Sequence, residues 1–197
     1  MDVIQWMLPQ VDELIVCSPT FIYQNTWDPV RNAVTLHHDS LEVVLKTVMG
    51  KIKDYTGDDE HKVGEKVPVK RLIVMDDVTH EKTLNMGSKG NLNALVYNAV
   101  WWNISLVVIC HHLTSVGAGM RENCEHFLLF PVINDKEVEK IYDNFSIVPK
   151  KKDFVAFYKH YLCDVIRSGK DRYPFIFICY KEGGIVYSKF NSKINLT

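Results

Sequence analysis

The 197-residue chain is 47% hydrophobic and 24% charged and carries a formal net charge of -1. That balance is the one a globular domain with a sizeable core needs, and it excludes a disordered or fibrous chain. So little net charge also excludes nucleic-acid binding by bulk electrostatics: contact with a polynucleotide would need a local patch or several subunits around the polymer.

The opening, MDVIQWMLPQVDEL, lacks the basic head and small-residue cleavage site of a secretion signal, and no apolar run approaches the ~20 residues of a membrane span. Five cysteines, mostly inside apolar runs, with no CxxC pair and no histidine at zinc-finger spacing, read as small hydrophobes in a reducing compartment. The expectation is an intracellular protein that is not secreted and has no membrane partner.

In chain order, apolar β-branched runs predict strands at Leu14–Cys17, Arg71–Met75, Leu106–Cys110, His126–Phe130, Phe175–Cys179 and Ile185–Tyr187, the first four continuous enough to be buried on both faces of a sheet. Helical periodicity lies between them. Asp39 and Glu42 make a capping-box-like start for Leu41, Val44, Leu45, Val48, Met49 and Ile52 on one face. Further helices are expected over Asn91 to Trp102, from Asn134 with Glu137 three residues on, and over Phe154 to Ile166. Polar stretches at Asp54–Lys70 and Thr83–Asn91 read as surface loops. Alternating strands and helices predict a mostly parallel, doubly wound sheet, and the last two strands, separated by Lys181–Gly184, an edge hairpin.

Two carboxylates close the second of these strands: Arg71-Leu-Ile-Val-Met-Asp76-Asp77-Val78. Ligands of α/β sheets gather beyond the carboxyl ends of the strands, so Asp76 and Asp77 are delivered to that crevice. In nucleotide hydrolysis the first acid of such a pair holds the magnesium shell through water and the second orients or deprotonates the attacking water. The next strand ends in another polar cluster, Cys110-His111-His112-Leu-Thr-Ser115, which could sense a γ-phosphate, cap the strand or bind a metal. Gly117-Ala-Gly-Met-Arg121-Glu-Asn123 follows, offering a cation after a flexible turn that could stabilise transition-state charge on a neighbouring subunit's nucleotide. The Lys150-Lys151-Lys152 run reads as a solvated helix start, with phosphate contact as the alternative.

Taken in this order the segments resemble the poxvirus-type DNA-packaging ATPases, a branch of the FtsK/HerA-like P-loop ATPases found also in large DNA viruses, virophages and Polinton/Maverick transposons. Val11-Asp-Glu-Leu-Ile-Val-Cys-Ser-Pro-Thr20 with Trp27 downstream is similar to the family's second strand and its turn. Leu72–Asp77 is similar to the Walker B strand and Ser105–Thr114 to the sensor strand, where the family has Gln in place of His111. Arg121-Glu-Asn123 with His126-Phe127 matches the family's Arg-x-Asn-x-x-His-Phe segment, and Pro174–Phe190 its closing strands.

The resemblance implies one ATPase-like domain over residues 1–197, a P-loop NTPase-like three-layer α/β sandwich, with ATP and Mg2+ as cofactors. It implies catalytic roles for Asp77, His111 and Arg121, nucleotide contacts for Asp76 and Asn123, and a water-mediated magnesium contact for Asp76. The implied partners are double-stranded DNA, sister subunits of a ring and capsid proteins, in a virion, a viral factory or the host cell.

The family's first strand and Gly-x-x-x-x-Gly-Lys-[Ser/Thr] loop are expected ahead of Val11, and this sequence does not contain them. Its Gly-Lys pairs, Gly50-Lys51 and Gly169-Lys170, lack the upstream Gly and the following Ser or Thr. The expectation is therefore a domain incomplete at its N-terminus, poor at binding nucleotide by itself. Two alternatives stand beside it: a non-hydrolysing structural subunit on the same fold, and a metal-dependent nuclease built on Asp76, Asp77 and His111.

Overall fold

A computed structural model describes residues 2–56, 68–78, 91–113, 116–132, 134–144, 148–180, 185–190 and 192–194. Most of both expected polar loops, Thr114 and Ser115, and the Lys181–Gly184 turn lie outside the described residues. The chain divides into two compact units, Met1–Arg121 and Glu122–Thr197.

The first unit is built on strands β1 (Glu13–Cys17), β2 (Val34–His38), β3 (Arg71–Asp76) and β4 (Ile104–Ile109), with helices α1 (Asp2–Met7), α2 (Leu41–Thr56), α3 (Asn91–Asn98) and α4 (Ala118–Glu122). The strands form one sheet in the order β2-β1-β3-β4, and every neighbouring pair is parallel. Because strand side chains alternate, β1 and β3 each feed two cores. Ile15, Cys17, Ile73 and Met75 pack with Leu41, Val44, Leu45 and Val48 of α2 and Leu92 and Leu95 of α3. Leu14, Val16, Leu72 and Val74 pack on the other face with Ile4 of α1 and with Phe21, Trp27 and Val30 from the connection after β1. The three-layer expectation is thus met in this unit, with one outer layer made of a short helix and an irregular loop.

Local differences from the sequence reading have simple causes. The Ser40 carbonyl accepts the first bond of α2, from Val44 at 3.2 Å, so Ser40 stands at the cap; Glu42 pairs forward with Lys46 at 2.8 Å. Helix α3 stops at Asn98, and the chain turns through Asn103, whose φ of 56° is left-handed, a conformation asparagine tolerates well. The expected flexible turn before Arg121 is partly helical, as α4.

The second unit holds β5 (His126–Leu129), α5 (Asp135–Asn144), α6 (Lys151–Tyr158), a π-type turn (Lys159–Cys163) running into α7 (Asp164–Arg167), then β6 (Ile176–Cys179), β7 (Ile185–Ser188) and β8 (Ser192–Ile194). Asn134 caps α5 by accepting from the Lys136 amide at 3.0 Å. The strands form an antiparallel sheet in the order β5-β6-β7-β8. The expected hairpin pair forms as β6-β7, and it belongs to this second sheet and not to the parallel sheet's edge as expected. The run at His126–Phe130, expected to be buried on both faces, instead starts and ends exposed, as fits a strand at one edge of an antiparallel sheet.

Candidate functional site at the carboxyl rim of the parallel sheet

Parallel strands place all their carboxyl ends on one rim. There β1 leads into Ser18-Pro19-Thr20, β3 ends in Asp76-Asp77, and β4 leads into Cys110-His111-His112. Register aligns the last two: Asp76 sits opposite Ile109, and the Asp77 amide donates to the Ile109 carbonyl at 3.3 Å, one step past the ladder. Asp77 has φ 53°, a left-handed conformation uncommon outside glycine and tolerated by aspartate. The turn ends the strand at once and leaves the Asp77 carboxylate on the rim, where its Oδ1 lies 4.0 Å from His111 Nε2. With His111 82% exposed and Asp77 45%, that contact is a loose, solvated one.

Asp76 is held differently. The fully buried Ser18 donates from Oγ to Asp76 Oδ2 at 3.1 Å, linking the ends of β1 and β3. Burial pushes the Asp76 carboxyl above its usual range and the neighbouring Asp77 charge adds to the push; Ser18, His111 and the Trp27 indole N–H pull the other way without cancelling it. The Trp27 N–H itself is buried and has no hydrogen-bond partner among the described residues. Among the described residues no group of three or more His, Cys, Asp or Glu could hold a metal. With so few protein donors described at this rim, a magnesium ion there would be held through its water shell, from which Asp76 could accept.

The structure brings Asp76, Asp77 and His111 together. Arg121, on α4, instead donates from its guanidinium to the Val116 carbonyl in the turn ahead of its helix. Asn123 is exposed in the second unit, just ahead of β5.

A family model described as Poxvirus A32 protein matches residues 19–188, most of the chain and both units. The chain belongs to the Poxvirus A32 protein family. No curated protein sequence matches it. Solved structures of the genome packaging NTPase B204 from Sulfolobus turreted icosahedral virus 2 share the fold of this A32-family chain at 8% identity. They include complexes with AMPPCP (TM-score 0.59, covering 93% of this chain and 85% of that one), with ATP-gammaS (0.61, 93% and 85%) and with AMP (0.61, 94% and 86%).

Within this A32-family chain neither Gly-Lys pair makes a phosphate loop. Gly50-Lys51 lies inside α2, with Lys51 Nζ on Glu13 Oε1 at 2.8 Å, and Gly169 follows α7 with φ 69°, an ordinary left-handed helix end. Sequence reasoning left Ser18 and Trp27 out of the site, although the Ser-Pro-Thr turn after β1 and the tryptophan behind it were visible as motifs. Their bearing on Asp76 depends on strand order, which no local pattern contains.

Proposed function

We propose that this chain is an ATPase-like domain of a viral genome-packaging NTPase, in which Asp76 carries the magnesium shell and Asp77 prepares the attacking water. The observation that carries the reading is the delivery of two adjacent, partly buried aspartates to the carboxyl rim of a parallel sheet beside His111. Membership of the A32 family and the fold shared with a packaging NTPase support it, and the family match runs across both units, as expected of one ATPase-like module.

In this reading the bound magnesium would neutralise phosphate charge. Asp76, kept in place by Ser18, supplies the negative end of that contact. Asp77 is the base or water-orienting group, and His111 stands where a γ-phosphate would be sensed. Arg121 acts on a neighbouring subunit's nucleotide in a ring around double-stranded DNA, Asn123 contacts nucleotide, and the ring docks on capsid protein. Release of Arg121 from the Val116 carbonyl precedes that role.

The test is turnover in a form of the protein that carries a glycine-rich phosphate loop. Asp77→Asn is expected to lower kcat by about 10²- to 10⁴-fold with nucleotide affinity unchanged. Unaltered hydrolysis would remove Asp77 from the mechanism. A second reading, a non-hydrolysing subunit on the same fold, is favoured by the position of both Gly-Lys pairs in or after helices. Calorimetric titration of the 197-residue chain with ATP and magnesium addresses it: weak or no heat is expected from these residues alone, and tight binding would mean that they hold a cradle of another kind.

A further inference from the structure

We propose that the amino rim of the parallel sheet, at the far end of the strands from Asp76 and Asp77, is a second ligand site that takes a phosphate monoester carried on a planar base. The length of β3 puts about 16 Å between the two rims, so this site stands independently of the role given to the aspartates.

A cavity of about 140 Å³ opens at the amino rim. Its polar lining is Gln10 from the turn after α1, Lys70 and Arg71 at the start of β3, and Asn103 and Ser105 at the start of β4; no carboxylate lines it. The backbone around it is fixed. The Lys70 carbonyl accepts from the Asp12 and Glu13 amides at 2.8 and 3.2 Å, and the Asn103 carbonyl accepts from the Arg71 amide at 3.0 Å, which ties the starts of β1, β3 and β4 together.

Three of the lining groups are uncommitted: the Lys70 ammonium, the Asn103 side-chain amide and the Ser105 hydroxyl have no hydrogen-bond or ion-pair partner among the described residues. Local charge favours an anion as well. Glu13 is answered twice, by Arg71 at 2.7 Å and Lys51 at 2.8 Å, and the Asp12 carboxylate accepts from the Lys70 amide at 2.7 Å, so with Lys70 itself three cations stand against two carboxylates. Donors that reach in from separate elements suit a tetrahedral oxyanion, whose oxygens point apart, better than a planar carboxylate that a single guanidinium fork satisfies. Trp6 forms one wall, 71% exposed, with its carbonyl accepting from Gln10 Nε2 at 3.4 Å. An indole face beside cations is the combination that stacks a base while its phosphate is held.

Titration of the ¹⁵N-labelled chain with thymidine 5′-monophosphate and, separately, with inorganic phosphate at constant ionic strength tests this. The Trp6 indole and the backbone amides of Lys70, Asn103 and Ser105 are expected to move saturably, at about millimolar ligand, while the indole of buried Trp27 stays in place. Lys70→Gln should weaken binding about fivefold, and Asp77→Asn should leave it unchanged. No saturable movement with either ligand, or movement unaltered in Lys70→Gln, overturns the proposal. Loss of the response in Asp77→Asn would place the ligand at the other rim and overturn it equally. The two titrants distinguish the source of the phosphate: binding of the monophosphate about tenfold tighter than that of inorganic phosphate supports a base on Trp6. Equal affinity overturns the base and leaves free phosphate as the ligand.

Discussion

Strand β3 carries a charged side chain at each end, and the fold treats the two ends in opposite ways. At its amino end Arg71, 2% exposed, donates from Nε to Glu13 Oε2 at 2.7 Å, and the other Glu13 oxygen accepts from Lys51 at 2.8 Å. Burial works against the Glu13 charge, but the hydrogen bonds from Lys51 and Arg71 outweigh it and hold the carboxyl below its usual range. At the carboxyl end the balance tips the other way: Asp76 has neutral donors and a like-charged neighbour, and its carboxyl is pushed up. A charge answered by opposite charges ties strands together. A charge held against burial by neutral donors and a loosely placed histidine is a cost the fold bears, and such costs gather at functional sites.

Variants at the two ends can break or sharpen this contrast. The largest effect is expected from Glu13→Gln, which leaves the Arg71 guanidinium buried without its carboxylate and costs about 3 kcal/mol in urea unfolding at neutral pH. Because the folded Glu13 carboxyl titrates low, its stabilisation is present above the unfolded value and is lost as pH falls through the folded one; the penalty should therefore fade below about pH 4. A penalty independent of pH would mean that packing, not charge, sets it. Lys51→Met, removing a cation about a third exposed, should cost only about 0.5–1 kcal/mol, and a loss matching Glu13→Gln would show that Arg71 is the minor partner.

The smallest effect has the opposite sign. Asp76 titrates high in the fold, so its ionised form weakens stability above the folded value, and that weakening disappears below the unfolded value. Asp76→Asn, which keeps an oxygen for Ser18, is expected to raise the urea midpoint slightly at neutral pH, with no gain left in acid. A lowered midpoint would place Asp76 with the structural charges at the other end of the strand.

Several features were legible without coordinates. The apolar runs at Leu14–Cys17 and Arg71–Met75 read as doubly buried strands because every residue in them is apolar apart from Arg71, and both are buried in the sheet. β2 went unread: Val34-Thr-Leu-His-His mixes polar and apolar residues as a half-exposed edge strand does, and its histidines resemble loop. Three-residue β8 is too short for periodicity to register. The antiparallel pairing of β5 was hidden for a different reason, since an apolar run says how deeply a strand is buried and nothing of its direction.

What the sequence by itself determined is local: where strands and helices lie, and that one strand ends in two acids, because side-chain period and strand ends are properties of neighbouring residues. Tertiary structure alone decided which partners those acids meet. Ser18 and Asp76 are 58 residues apart in the chain, and only the parallel pairing of β1 with β3 puts the hydroxyl of one on the carboxylate of the other. The physical reason is that a parallel pair needs a long crossover, so residues that share a rim are distant along the chain and carry no common pattern within it.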